Sequence, residues 1–362
     1  MNNLLSLAAL HSGGFTHKDL KKIFETNQNY SEVLDDLLWD WKTLTPWMTS
    51  ERRNTILEKM RKIDIVKIKK IIDEKSIHII TVESELYPEK LKTINQTPYL
   101  LYVRGNLREE RKMLGIVWSR KNTNYGKKIL EKIIPELVNA SCGIVSWGAY
   151  GIDALSHMIT LDNNWYTISV FGSGIDKYYP VENTKLFEDI ISKWLALVSI
   201  FPIGTQPEPF YFPIRNEIVA ALSDWIIIPE AWIKSGTLIT ANLALEHGRD
   251  VFAIPGDVFR ETSMGSNRLI ARGEAKCTQS ATDILEEYFP NITSTTLSMF
   301  AEKVWEDNNQ KMIYNIIMEW HNTPDSIWQN SDYTIDIITT TLTLLEINWH
   351  IRLWSWWRYE TI

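Results

Sequence analysis

The feature that most constrains this chain is a regular alternation, between residues 113 and 285, of short apolar runs with segments long enough to form helices. A strand with one solvent-exposed face alternates apolar and polar residues, whereas these runs are almost continuously apolar. Continuous runs of this kind are typical of parallel strands that are buried on both faces. The pattern therefore predicts an α/β fold with a Rossmann-like, doubly wound, mostly parallel sheet. The runs are MLGIV, CGIVS, YTISVF, LALVSIF, WIIIPE and DVFAIP.

The flanks of this region follow other patterns, so the 362-residue chain is predicted to contain several domains. Residues 1–75 consist of short helix-like segments, one of which ends in a glycine pair. β-Branched and aromatic runs from residue 76 onward open the sheet domain, which is predicted over 76–290. A polar linker at 291–305 then precedes a predicted winged-helix-like domain at 306–362.

Charge and cysteine content narrow the class of protein. The formal net charge of −7 gives no overall attraction for nucleic acid, so any such site has to be a local patch of basic side chains and backbone N–H groups. Cys142 and Cys277 are too few for a disulfide framework or a four-thiolate metal site, and both are expected in the core. With no secretory signal pattern and no membrane-spanning apolar run, we expect a cytoplasmic protein without a membrane partner, a cofactor or a metal.

Small and polar residues follow the predicted strands where their carboxyl ends meet helices, in VWSRKNT, SWGAYGID, FGSGID and PEAWIKSGTLITA. Ligands of open α/β sheets bind outside these strand ends, where the N–H groups of a helix start can hold a phosphate. FPIRN places further donors before another apolar helix. Together the segments predict one anion-binding crevice. Its predicted residues are Ser119, Arg120, Gly148, Tyr150, Gly151, Asp153, Gly172, Ser173, Arg215, Asn216, Lys234, Ser235, Gly236 and Thr237.

Several of these roles have a structural alternative. Arg120 is suited to a bidentate phosphate contact or to a surface ion pair. Asp153 is suited to a ligand hydroxyl or to a helix N-cap. His157 is interpreted as structural rather than catalytic, and the aromatic run 210–212 as packing beside prolines or as a base-stacking face.

Taken in order, the motifs resemble the core of the DprA/Smf family of DNA-processing proteins over about residues 80–290. The resemblance implies a non-catalytic homodimer that binds and protects single-stranded DNA and helps to load a RecA-type recombinase in natural transformation. It adds Asn267 to the predicted site, and it implies a SAM or helix–hairpin–helix-like domain before the core and a winged helix after it. The matching segments are LYPEKLKTINQTPYLLYVRGN, SRKNTNYGKKI, AYGIDALSH, FGSGIDKYYPVEN, FPIRN, SGTLITANLALEHGRDVFAIPG and SNRLIARGEAKC.

Tryptophan departs from this family pattern. The chain has 16 Trp and 16 Gly, although glycine ordinarily supplies about 7% of a protein. An indole fills an anion site and adopts positive φ only at a cost, so we hypothesise that the source organism decodes UGA as glycine at many of these positions. Trp118, Trp147 and Trp232 correspond to pocket glycines of the family, Trp165 falls where glycine is common, and Trp349, Trp354, Trp356 and Trp357 fall in turns of the predicted wing.

Two further departures are Ile200, which stands where the family has an acidic residue, and Glu217, which replaces a basic residue and would repel phosphate.

The main alternative function is a nucleotide-binding enzyme of the phosphoribohydrolase type, with Glu230 as its acidic residue, although the glycine-rich run of those enzymes is incomplete here. A nicotinamide dehydrogenase lacks its G-x-G-x-x-G signature. A third reading is an interaction scaffold that binds through residues 300–362.

Overall fold

The structure is a computed structural model, and it describes residues 3–27, 29–36, 45–108, 112–118, 123–288, 308–318, 323–331, 333–347, 351–354 and 358–361. Residues Met1–Asn291 form one compact unit, and Ile292–Ile362 form a second.

Helices open the first unit, and they pack on the sheet that follows. Buried Leu7 and Leu10 belong to the same hydrophobic core as strand residues further along the chain. His11 Nδ1 lies 3.0 Å from the hydroxyl of Tyr102, and His17 Nε2 lies 3.0 Å from the carbonyl oxygen of Ile200. The helices are α1 (Asn3–Ser12), α2 (His17–Asn27), α3 (Tyr30–Asp36), α4 (Ser50–Met60) and α5 (Ile65–Glu74).

A nine-stranded sheet follows, in the order β1-β2-β6-β5-β4-β3-β7-β8-β9. β1 and β6 pair with β2 antiparallel, and the other neighbours pair parallel. The predicted doubly wound, mostly parallel sheet is therefore confirmed. The strands are β1 (His78–Thr81), β2 (Leu100–Gly105), β3 (Lys112–Ile116), β4 (Cys142–Ser146), β5 (Thr167–Phe171), β6 (Ala196–Ser199), β7 (Trp225–Ile228), β8 (Asp250–Ala253) and β9 (Lys276–Cys277).

The connecting helices follow the strands as the apolar pattern predicts. The first parallel crossover uses a helix whose N-cap, Thr123, accepts a hydrogen bond from the N–H of Gly126. The helices are α6 (Glu89–Lys92), α7 (Asn124–Asn139), α8 (Ile152–Asp162), α9 (Thr184–Ser192), α10 (Tyr211–Leu222), α11 (Gly236–Glu246), α12 (Met264–Ala271) and α13 (Ala281–Tyr288), with short 3₁₀ turns at Val181–Asn183 and Glu261–Ser263.

The two cysteines differ in environment. Cys142 is buried in β4, and its burial raises the pKa of the thiol to about 12. Cys277 is exposed, so the expectation of a core position was wrong for this residue. The physical reason is that β9 is a two-residue strand at the edge of the sheet, with both residues exposed.

The second unit has its own small core, which includes Ile313, Ile327 and Leu345. The described part contains α14 (Asn308–Met318), α15 (Pro324–Gln329) and α16 (Ile335–Ile347), followed by an antiparallel hairpin of β10 (Ile351–Trp354) and β11 (Arg358–Thr361). Helices followed by a hairpin are compatible with a winged helix, and that assignment stays a prediction.

Candidate functional site

A cavity of about 420 Å³ opens at the carboxyl ends of β3, β4, β5 and β7. The strand order reverses at the β3–β7 pair, since β4 to β6 extend on one side and β8 on the other. Such a switch point is where open α/β sheets bind ligands. The lining residues are Trp118, Trp147, Ala149, Tyr150, Asp153, Gly172, Ser173, Tyr179, Pro180, Phe212, Arg215, Asn216, Trp232, Ser235 and Gly236.

Arg215 supplies the positive charge among these lining residues. It lies in the second turn of α10 and is only 6% exposed. Its Nη1 donates to the carbonyl oxygens of Trp147 at 3.4 Å and of Val170 at 3.2 Å. The guanidinium also lies 4.9 Å from the centroid of the Trp147 ring and 5.5 Å from that of Phe212. The cation is thus held in one position by main-chain acceptors and aromatic faces.

The start of α11 provides hydrogen-bond donors. Ser235 is its N-cap, but its side chain makes no capping bond. The hydroxyls of Ser235 and Thr237 are buried and have no hydrogen-bond partner among the residues that the structure describes. A Cβ added to Gly236 would meet nothing within 4 Å, so the space beside this helix start is open. A buried unsatisfied hydroxyl is costly, and an oxygen-rich ligand at this positive helix end would satisfy Ser235, which lines the cavity.

The β4–α8 loop depends on glycine. Gly148 and Gly151 have φ of +66° and +89°, which only glycine adopts freely. A Cβ on Gly148 would also lie 2.5 Å from the hydroxyl of Ser169. The side chain of Asn183 donates to the carbonyl oxygens of Gly148 and Ala149, at 2.9 and 3.2 Å, and fixes the loop.

Aromatic side chains form the rim of the cavity. Tyr150, Tyr179 and Trp232 are each between 43% and 44% exposed. Tyr179 stacks on Phe212 with ring centroids 5.9 Å apart and an interplanar angle of 22°. The hydroxyl of Tyr150 donates to the Glu182 carboxylate, and this hydrogen bond raises the pKa of the phenol to about 12. These faces are available to planar ligand groups.

Of the other predicted site residues, two lie outside the described residues and five do not line the cavity. Ser119 and Arg120 lie outside the described residues. Lys234 is exposed and does not line the cavity, and neither do Gly148, Gly151 and Thr237. The amide of Asn267 exchanges two hydrogen bonds with the backbone of Gly256, at 2.9 and 3.1 Å, and thereby holds a loop.

Asp153 and His157 both lie on α8. The N-cap of this helix is Gly151, so Asp153 is not a cap: it is the second helical residue, and it lines the cavity. His157 is fully buried, with Nδ1 2.7 Å from the hydroxyl of Thr167. Burial lowers the pKa of His157 to about 3, so the ring is neutral, which fits a structural role.

The tryptophans that depart from the family pattern lie in different parts of the structure. Trp118, Trp147 and Trp232 line the cavity as expected. The expected cost of positive φ was wrong for these three residues and for Trp165, because none of them has positive φ. Among the described residues the one tryptophan with positive φ is Trp194, which was not predicted. Trp349, Trp356 and Trp357 lie outside the described residues, and Trp354 ends β10.

Glu230, Ile200 and Glu217 take structural positions. Glu230 is 1% exposed, and its carboxylate accepts hydrogen bonds from the hydroxyls of Thr123 and, at 2.9 Å, Thr262. It does not line the cavity. Ile200 is buried, and Glu217 lies 3.8 Å from His247 Nε2, also outside the cavity lining.

Tyr179 and Asn183 were not among the site residues predicted from the sequence. Both belong to KYYPVEN, which follows the glycine turn after β5. An exposed aromatic residue beside proline, directly after a ligand-side turn, is the signal that points to Tyr179.

In the described part of the chain no cluster of His, Cys, Asp and Glu is arranged to hold a metal ion. The helices described there are all too short or too polar to cross a membrane.

Comparisons with known proteins agree with this geometry. A family model described as DNA recombination-mediator protein A matches residues 78–289. The chain is similar to the DNA processing protein DprA of Streptococcus pneumoniae, with 36% identity over 282 residues that make up 77% of this chain and 96% of the relative. It is 39% identical to DprA of Bacillus subtilis over 216 residues, which are 59% of this chain and 72% of that protein.

Two solved structures are also similar. The X-ray structure of the Streptococcus pneumoniae protein has a TM-score of 0.66 and 34% identity, and the match covers 79% of this chain and 98% of that one. DNA processing protein A from Helicobacter pylori, whose structure was described for its single-stranded DNA binding mode, has a TM-score of 0.53 and 27% identity, with 59% and 97% covered.

Proposed function

The chain belongs to the DprA/Smf family of DNA recombination mediators, and from this membership we propose that it binds single-stranded DNA in the cavity at the carboxyl edge of its sheet. The observation that carries the proposal is that one cavity is lined both by the Arg215 cation and by Ser235, whose buried hydroxyl has no hydrogen-bond partner among the described residues. A backbone phosphate needs such a charge and such donors.

The aromatic rim supports a single strand rather than a duplex. Tyr150 and Tyr179 present exposed ring faces around the cavity, and unpaired bases stack on such faces. A duplex keeps its bases stacked on one another and would leave the rings unused. Since phosphate contacts and stacking do not read base edges, we expect little sequence preference.

The test compares binding of fluorescent single-stranded and duplex oligonucleotides of one sequence. Arg215→Ala should weaken single-strand binding at least tenfold. It should also reduce the slope of log affinity against log salt concentration by about one, because one phosphate contact is lost. Arg61→Ala removes an exposed arginine that does not line the cavity and should leave both quantities unchanged. Equal effects of the two substitutions would show that the cavity is not the binding site.

We also propose a non-catalytic, cytoplasmic role in which the bound strand is protected and handed to a RecA-type recombinase. The buried position of Glu230 and its two hydroxyl donors support this over nucleotide hydrolysis, because the carboxylate is engaged away from the cavity lining. Asn267 would act by fixing the loop at Gly256 rather than by touching DNA.

A homodimer is part of the same proposal. Phe259 is 91% exposed and its neighbour Val258 is 67% exposed, an apolar pair that is unfavourable in water and suited to contact with a second copy. Phe259→Ser should shift the sedimentation coefficient from that of a dimer to that of a monomer. Gln206→Ser, a matched change on another loop, should not.

A further inference from the structure

In the described part of the first unit, six helices end in the same hydrogen-bonded motif. The residue at its left-handed position is Gly14, Ser76, Asn164, Trp194, Gly248 or Gly273. After α11, Gly248 has φ +68°, and the N–H groups of residues 248 and 249 bond back to Leu245 and Ala244, at 2.9 and 2.8 Å. After α12, Gly273 has φ +69° with the equivalent pair of bonds. Both ends have the glycine that this motif favours.

The end of α9 has tryptophan in that position. Trp194 has φ +57°, its N–H bonds to Ile191 at 2.9 Å, and the next N–H bonds to Ile190 at 3.0 Å. An L side chain is strained in this conformation, and bulky ones most of all. Trp194 is 74% exposed, so little packing offsets the strain. The other non-glycine residues with positive φ in the described part are small and polar: Ser76, Ser141 and Asn164.

The three cavity tryptophans share a second kind of location, the connection between the carboxyl end of a strand and the start of a helix. Trp118 lies between β3 and α7, Trp147 between β4 and α8, and Trp232 between β7 and α11. A Cβ on Gly126, in the first turn of α7, would lie 2.2 Å from the Trp118 ring, so this indole covers a helix start. Within the described part of the chain, the buried indole N–H of Trp147 has no hydrogen-bond partner.

We propose that positions 118, 147, 194 and 232 are glycine in the protein as its own organism makes it, the codon being UGA read as glycine. At 194 glycine removes the backbone strain. At the other three positions it removes the indoles from the cavity and lets a ligand approach the helix starts, so these residues determine whether the site is open to phosphate. This last step rests on the proposed DNA function, whereas the assignment of glycine at 194 does not.

The first test is peptide mass spectrometry of the protein isolated from the encoding organism. We expect glycine at all four positions. Tryptophan at 194 or at the cavity positions would overturn the proposal.

The second test uses stability at 194, where alanine is a matched control because it removes the indole but keeps the Cβ. Trp194→Gly should lower the equilibrium constant for unfolding roughly tenfold relative to Trp194→Ala, which is about 1.4 kcal/mol and a rise in melting temperature of a few degrees. Equal stabilities of the two variants, or a less stable glycine variant, would contradict the assignment.

The third test measures binding of an oligothymidylate by the chain with tryptophan and by the W118G/W147G/W232G variant, with W194G as the control outside the cavity. The triple variant should bind at least tenfold more tightly, and W194G should bind like the parent. If the parent binds well and the triple variant gains nothing, the proposal fails while the DNA function stands. If no version binds but glycine at 194 stabilises the fold, the DNA function fails and the assignment at 194 stands.

Discussion

The guanidinium of Arg215 lies 4.9 Å from the centroid of the Trp147 ring, and its Nη1 donates to the carbonyl oxygen of that same residue at 3.4 Å. The backbone at position 147 therefore orients the cation whichever side chain stands there. The indole adds a face that competes with a ligand for the charge.

Arg215→Lys follows directly from this relationship. Lysine keeps the charge but has a single ammonium nitrogen in place of the planar fork, so the two carbonyl oxygens and a phosphate have to share that one nitrogen. We expect single-strand affinity to fall about tenfold, near 1.4 kcal/mol, with an unchanged dependence on salt. Fluorescence anisotropy at several salt concentrations measures both the affinity and its dependence on salt. A full retention of affinity would mean that only the charge matters.

The sequence predicts most of the central fold because apolar runs and strand-end turns are local signals. Gly148 and Gly151 were placed in a ligand-side loop, and both have positive φ there. The sequence does not predict that β2 runs antiparallel between β1 and β6, since strand direction depends on contacts distant in the chain.

The candidate site was predicted less completely, because hydrogen-bond partners and backbone conformations depend on the folded structure. Asn267 belongs to a segment that matches the family, yet its amide bonds to the backbone of Gly256, which the sequence alone does not reveal. Trp194 was missed because a left-handed residue after a helix has no signature when the position is not glycine or asparagine. Its position two residues beyond α9 becomes evident only from the hydrogen bonds.

Glu230→Gln tests the buried carboxylate. The amide nitrogen cannot accept a hydrogen bond, so one of the hydroxyls of Thr123 and Thr262 loses its acceptor inside the fold. We expect a loss of about 1–3 kcal/mol in the free energy of unfolding by urea. Neither the parent chain nor this variant should hydrolyse nucleoside 5′-monophosphates. Turnover by the parent that disappears in the variant would favour the phosphoribohydrolase reading instead.

Acid should destabilise the packing of the first helices on the sheet. Burial lowers the pKa of His17 from 6.5 to about 4, although its hydrogen bond to Ile200 opposes the shift. Between those pH values His17 is protonated in the unfolded chain but neutral in the folded chain. The free energy of unfolding therefore falls as pH decreases from 6.5 towards 4. For this one group the loss reaches about 3 kcal/mol.

Urea unfolding at pH 7.5 and at about pH 5 measures this effect. His17→Gln retains an N–H donor for Ile200 but cannot be protonated, so its stability should fall less between the two pH values than that of the parent. A parallel fall in both proteins would remove His17 from the explanation. Burial lowers the pKa of His11 and His157 as well, so some dependence should persist.

Removal of the second unit should leave the binding of single-stranded DNA in place. The cavity is built entirely from residues between 118 and 236, all within the first unit. A chain ending at 291 should therefore bind an oligonucleotide within about threefold of the full-length affinity, well under the tenfold step of 1.4 kcal/mol. Isolated residues 292–362 should not bind. The reverse result would favour an interaction scaffold that works through its C-terminal part.

The most direct measurement of the central claim is a salt titration of binding to matched single-stranded and duplex oligonucleotides, with the chain carrying glycine or tryptophan at positions 118, 147 and 232. We predict tighter binding of the single strand, affinity that falls linearly with the logarithm of salt concentration, and a clear advantage of the glycine form. Equal binding of both oligonucleotides, or no single-strand binding by either form, would contradict a DNA site in this cavity.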